Sequence, residues 1–284
     1  MLSILIPTYN YACYRLVADL HQQAELLGMP YEILVAEDGS KSQVTIIANH
    51  KITELSHCRY IRRKDNVGRS AIRNYLMTEA QGDLLLFMDA DGKVVRDDFL
   101  KKYVEAAENH DVVCGGVVHP EEWHDPNSML RWKYEKAYEH KYGNISEQFR
   151  SFSFLITRNV APKVHFDERY NGYGYEDVQF GKDLEEAGFA IYGIDNPLLN
   201  EDVEDNATFL QKTEEALRAA HRFQKEIGNR VKVNRLYQKY HFFSPVIRLF
   251  YQMFSPLMRR NLLSANPSLT LLNIYKLGYY ACLK

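Results

Sequence analysis

The sequence predicts an α/β fold, a mainly parallel sheet with helices on both faces, followed by a helical C-terminal extension. Apolar, β-rich runs recur at residues 3–8, 31–37, 58–63, 83–89 and 111–118, and helix-like segments at 14–28, 69–82 and 97–110 lie between most of them. Strands alternating with helices build parallel sheets covered on both faces. An amphipathic stripe then begins near Asn206 with Phe209, Leu210, Thr213, Leu217, Ala220, Phe223 and Ile227, and stops at Gly228 and Asn229.

Ligands of such sheets gather at the carboxyl ends of the strands. The first four runs end in "PTYN" (7–10), "AEDGS" (36–40), "RKDNVG" (63–68) and "MDADG" (88–92). The fourth closes on two carboxylates, Asp89 and Asp91. In an extended chain residues i and i+2 point the same way, so both acids are expected to face one point beyond the sheet. They repel one another there unless a cation intervenes, and a hard ion with oxygen ligands, Mn²⁺ or Mg²⁺, leaves positions for a substrate diphosphate. On spacing alone an acidic turn is an equal alternative, since Asp and Gly are ordinary turn residues. A calcium loop is excluded, because Lys93 and Val94 occupy its fifth and sixth positions.

A second constellation is "NGYGYEDVQFGKDLEEAG" (171–188). Two glycines allow a tight loop, and Glu176 and Asp177 open a helix. Acids in a first turn complement the helix dipole and cap free amides. Asp177, however, shares its face with Phe180, Gly181 and Leu184, and a carboxylate at an apolar edge is pushed by desolvation toward the range of a general base.

Composition bounds the rest. With 284 residues, 46% apolar and 25% charged, the chain suits one or two globular domains with a sizeable core. Four cysteines without a C-x-x-C pair exclude a zinc ribbon and a disulfide framework, so a reducing cytosol is expected. The first residues show neither the basic flank nor the cleavage site of a signal peptide. Charge is unevenly placed: residues 229–284 hold nine Lys and Arg and no acid, +9, which leaves −11 for residues 1–228 within a net charge of −2. The tail segment "HFFSPVIRLFYQMFSPLMRRNLLS" has no apolar run of the ~18–20 residues that span a bilayer. Its basic, aromatic character fits peripheral contact with an anionic membrane, or a helical lid with a solvated basic face. No nucleic-acid-binding motif accompanies the charge.

The linked motifs "ILIPTYN", "ILVAEDGS", "NVGRSAIRN" and "MDADG", in order and spacing, resemble the family 2 glycosyltransferases, inverting nucleotide-sugar enzymes with the glycosyltransferase A fold. The resemblance covers residues 1–205, implying a catalytic domain there and a helical basic extension over 206–284. It implies that Thr8 and Tyr9 contact the nucleoside, that Asp38 accepts from base or ribose, and that Arg69 and Arg73 lie near the diphosphate. Asp89 would contact ribose and metal, and Asp91 would coordinate the metal directly. The 171–188 stretch resembles the Gly-rich ED motif of the same enzymes, in which the aspartate deprotonates the acceptor. That makes Asp177 the base and Glu176 its acceptor-binding neighbour.

The implied activity is metal-dependent inverting transfer from a nucleotide sugar, UDP-linked by expectation, to a hydroxyl of a saccharide or glycolipid. It belongs to polysaccharide biosynthesis in the cytoplasm or on the inner face of the cell membrane. One departure stands out. Many relatives carry a histidine metal ligand some 20 residues after the ED pair; here Asn200 stands near that place, beside Glu201 and Asp202. A weak or silent carbohydrate-binding relative is therefore one alternative. A haloacid-dehalogenase-like phosphatase, with Asp89 as nucleophile and Asp91 as acid, is another, although that family's motif normally ends the first strand.

Overall fold

The computed structural model describes residues 1–142 and 149–283. In chain order the elements are β1 (Leu2–Thr8), α1 (Tyr14–Leu26), β2 (Tyr31–Glu37), α2 (Gln43–His50), β3 (Cys58–Arg62), α3 (Arg69–Glu79) and β4 (Leu84–Met88). There follow β5 (Gly92–Lys93), α4 (Phe99–Ala107), β6 (Val112–Cys114), β7 (Val117–Val118), α5 (Met129–Tyr142), β8 (Ser153–Thr157), α6 (Glu176–Glu186), β9 (Ile191–Gly193) and β10 (Leu198–Asn200). Helices α7 (Asn206–Arg222), α8 (Gln224–Ile227), α9 (Lys232–Tyr240), α10 (Ser244–Leu262) and α11 (Leu269–Cys282) complete the chain.

Two compact units divide it. The first comprises Met1–Val118, Tyr142–Asn171 and Phe180–Glu201; the second comprises His119–Lys141, Gly172–Gln179 and Asp202–Lys284. The expected division at 205/206 was linear, whereas these units interleave. Segments far apart in sequence meet in the second: Leu130 of α5 packs with Phe209 and Leu210 of α7 and with Leu262 and Leu272.

All described strands belong to the first unit. Its large sheet runs β3-β2-β1-β4-β8-β6-β9, and a small sheet runs β5-β10-β7. The β3-β2-β1-β4 block and the β6/β9 pair are parallel, while β8 is antiparallel to β4 and β6. Successive residues of a strand face opposite sides. Thus Leu2, Ile4 and Ile6 of β1 join α1 and α4 through Leu16, Leu20 and Phe99, and Leu5 joins α3 and the later part of α6 through Ile72, Leu76, Phe180 and Leu184. Burial on both faces is why these strands read as continuous apolar runs.

The sequence did not reveal β8, and it read residues 111–118 as one strand where the structure has two, in different sheets. Gly115 and Gly116 make the break. Gly116 has a φ of +86°, and a Cβ at Gly115 would lie 2.2 Å from the Tyr103 hydroxyl.

Candidate active site

Strand order reverses between β1 and β4, and in open α/β sheets that switch point opens a crevice at the carboxyl ends. At the end of β1, Thr8 is buried and its Oγ1 donates to the Tyr11 carbonyl at 2.9 Å, while Tyr9 is 48% exposed. The Asp38 amide after β2 donates to the Thr8 carbonyl at 2.8 Å, joining the two strand ends. Asn10, in the left-handed region at φ 52°, accepts through Oδ1 from the amides of Lys41 and Ser42 at 3.0 and 3.1 Å.

Asp38 is buried, and its two carboxylate oxygens accept from the amides of Val67 and Gly68, both at 3.0 Å. It therefore secures the turn that starts α3, a role the sequence reading did not foresee. Arg69, the first residue of that helix, is exposed. One turn on, Arg73 is 2% exposed and donates through Nη2 to Asp89 Oδ1 at 2.7 Å, with its guanidinium 5.3 Å from the Phe166 ring centroid.

Asp89 and Asp91 do not share the extended conformation expected of them. Strand β4 ends at Met88, and Gly92 N–H returns to the Asp89 carbonyl at 3.2 Å, so the two acids sit in a tight turn. Asp89 pairs with Arg73, and Asp91 Oδ2 accepts from the Asn200 side-chain amide at 3.4 Å. Asn200 arrives there because β10 pairs antiparallel with β5, setting Asn200 opposite Gly92. Beside it, Lys93 Nζ donates to both oxygens of Glu201 at 3.0 and 3.1 Å.

Among the described residues no group of three or more His, Cys, Asp or Glu side chains is arranged to hold a metal. A carboxylate and an amide are nonetheless hard oxygen donors suited to Mn²⁺ or Mg²⁺, ions that take few protein ligands when a substrate diphosphate supplies the rest. Asp91 supplies such an oxygen and Asp89 adjoins it, whereas Asn200, whose amide nitrogen faces Asp91, offers its oxygen only with the amide turned over.

In the second unit, Gly174 and Tyr175 take φ values of +104° and +69° immediately before α6. Of the two glycines expected to shape this loop, only Gly174 is required: a Cβ there would lie 2.6 Å from the Ala216 Cβ, whereas one at Gly172 would meet nothing within 4 Å. Glu176 is buried; Asp177 is half-buried, and its Oδ1 accepts from the Val178 amide at 2.8 Å, the helix-end use of the acid.

A charged network missed by the sequence reading supports this loop. Lys212 lies 5.4 Å from the Tyr173 ring centroid and pairs with Glu204, and Arg131 lies 2.9 Å from Glu135 and 3.8 Å from Glu204. Burial opposes the Arg131 charge, but Glu135, Tyr173 and Glu204 outweigh it and hold the guanidinium above its ordinary pKa. The i,i+4 spacing of Arg131 and Glu135 was the legible signal. His119, in the loop after β7, is buried and 4.0 Å from Glu135, while Trp123 and Trp132 donate their indole N–H groups to Ser128 and to the Pro120 carbonyl, both at 2.8 Å.

Comparison with known proteins agrees with this architecture. The family described as "Glycosyl transferase family 2" matches residues 3–171. Chondroitin synthase of Pasteurella multocida is 27% identical over 234 residues, 68% of this chain and 24% of that protein. The chain spans less than half the length of the curated relatives it matches. Among solved structures, a mannosyltransferase from Pyrobaculum calidifontis in complex with GDP-Man and Mn²⁺ has a TM-score of 0.56 at 14% identity, with 99% of this chain and 84% of that one covered. Glucosyl-3-phosphoglycerate synthase from Mycobacterium tuberculosis, in complex with Mn²⁺, UDP and phosphoglyceric acid, has a TM-score of 0.53 at 14% identity, covering 80% and 78%. At these identities the structural likeness concerns the fold.

Proposed function

We propose, from the premise that this chain belongs to glycosyl transferase family 2 and has its glycosyltransferase A fold, that it transfers a sugar from a nucleotide sugar to a hydroxyl of a saccharide or lipid-linked acceptor with inversion. The observation that carries this reading is the pair of side-chain contacts after β4, Arg73 with Asp89 and Asn200 with Asp91, at the switch point of the sheet. UDP is the proposed donor nucleotide and Mn²⁺ or Mg²⁺ the proposed cofactor; a fold neighbour binding Mn²⁺ and UDP supports both. A relative named chondroitin synthase supports a saccharide acceptor.

Tyr9 presents an exposed ring for a base to stack on, with Thr8 and Asp38 fixing the loops around it. Arg69 supplies a guanidinium suited to phosphate oxygens. Arg73 orients Asp89, and Asp91 offers carboxylate oxygens to the cation, which the Asn200 amide oxygen joins once that amide turns over. When bound, that ion stabilises negative charge on the departing diphosphate. Asp177 takes the proton of the acceptor hydroxyl, Glu176 orients that acceptor, and attack opposite the leaving group inverts the anomeric centre in one displacement.

Asp177→Asn tests the base. Turnover is expected to fall about 10²- to 10⁴-fold with UDP affinity unchanged, and a variant that transfers sugar at the wild-type rate would sink the assignment. Asn200 in place of the expected histidine favours a second reading, a carbohydrate-binding relative without turnover. Incubation with UDP-sugars and Mn²⁺ separates the two, because the transferase releases UDP slowly in the absence of acceptor and the silent protein does not.

A further inference from the structure

Helix α10 carries two apolar stripes, and only one is used inside its unit. Tyr251, Met258 and Leu262 pack against Leu272 and Tyr275 of α11. On another face, Val246, Leu249, Phe250, Met253 and Leu257 follow the i, i+3, i+4, i+7 rhythm and are open to solvent, with Val246, Met253 and Leu257 between 62% and 65% exposed. The turn that leads into the helix adds Phe242, 83% exposed, and Phe243, their rings 5.7 Å apart. These side chains are left open to water, and hydrating them has a cost. A contiguous apolar stripe of this kind marks an interaction surface.

We propose that this face of α10 docks on an anionic lipid surface, with the helix lying in the interface. Charge selects the occupant. No Asp or Glu follows Glu226, and nine Lys and Arg do. Arg260 continues the exposed stripe one turn beyond Leu257 and is itself exposed, and α9 exposes Lys232, Arg235 and Lys239 at i, i+3 and i+7. Aromatic and aliphatic side chains beside cations, without acids, suit the boundary between acyl chains and anionic headgroups. A second copy of the chain fits poorly, because a two-fold contact would set two acid-free basic segments against each other. Among the described residues no helix is long and apolar enough to cross a membrane.

The test is flotation of the full chain with neutral phosphatidylcholine vesicles and with the same vesicles carrying about 30% phosphatidylglycerol. Binding is expected only to the anionic vesicles, weakened several-fold in about 0.5 M salt and at least about tenfold in the variant Leu249→Asp with Met253→Asp. Both positions are exposed, and a circular dichroism melt together with UDP titration checks that the variant remains folded. No binding by the wild type, equal binding to neutral vesicles, or full binding by the variant would overturn the proposal. So would a concentration-dependent dimer, seen by light scattering, that the same variant abolishes while vesicles fail to bind.

Discussion

Asn200 and Asp91 lie 109 positions apart, and the side-chain amide of the first donates to the carboxylate of the second at 3.4 Å. A two-residue strand pairing, β10 on β5, is what joins them. Asp91→Asn is expected to weaken Mn²⁺-dependent UDP binding at least about tenfold and to remove its sensitivity to chelator, as measured by isothermal titration calorimetry. Asn200→His, which supplies a nitrogen ligand, is expected to raise Mn²⁺ affinity. Chelator-independent UDP binding by the wild type would contradict both.

Asp89 neutralises a guanidinium that is almost wholly buried. Removing this carboxylate takes compensation from a buried charge, so Asp89→Ala is expected to cost about 3 kcal/mol in urea unfolding. Because the loss comes from the buried Arg73 charge deprived of this carboxylate, the double variant Arg73→Met with Asp89→Leu should recover part of it. A double-mutant cycle reads that coupling, and additive costs would contradict it.

Gly174→Ala adds a Cβ in the left-handed region and 2.6 Å from the Ala216 Cβ. The strain alone is of order 1–3 kcal/mol, and the loop that carries Glu176 and Asp177 shifts with it, so both stability and turnover should fall. Gly172→Ala is the control. Its Cβ meets nothing within 4 Å, and its stability should stay within about 0.5 kcal/mol of wild type.

Burial pushes the thiols of Cys13 and Cys114 from 9.0 up to about 12. A folded-state value above the unfolded one means that the fold retains these protons more tightly. Their contribution is fully present below pH 9 and is lost as pH rises toward 12, by at most about 1.4 kcal/mol per thiol per pH unit. Urea midpoints at pH 8 and pH 10.5 measure the loss. Cys13→Ala and Cys114→Ala should each flatten the decline.

The strand ends were legible because β1, β2 and β4 alternate with helices and bury both faces, so their polar endings interrupt otherwise apolar text. Thr8, Asp38 and Asp89 stand at those endings, whereas Arg73, inside α3, was named by the family resemblance. Their contacts were less legible. Asp38 looked like a nucleotide ligand, and in the fold its carboxylate first secures the amides of Val67 and Gly68. The network of Arg131, Glu135 and Glu204 went unread because Glu204 is remote from the other two in sequence and only packing brings it to them.

By itself the sequence determined the alternation of strands and helices, the amphipathic start of α7 at Asn206 and the acid-free basic tail, because each is written in local periodicity or composition. Tertiary structure alone decided that β8 inserts antiparallel between β4 and β6, that Asp89 meets Arg73 and Asp91 meets Asn200, and that residues 119–141 join the C-terminal helices in one unit. Those outcomes depend on hydrogen bonds and apolar contacts between residues distant in the chain. A reading built on near neighbours has no access to them.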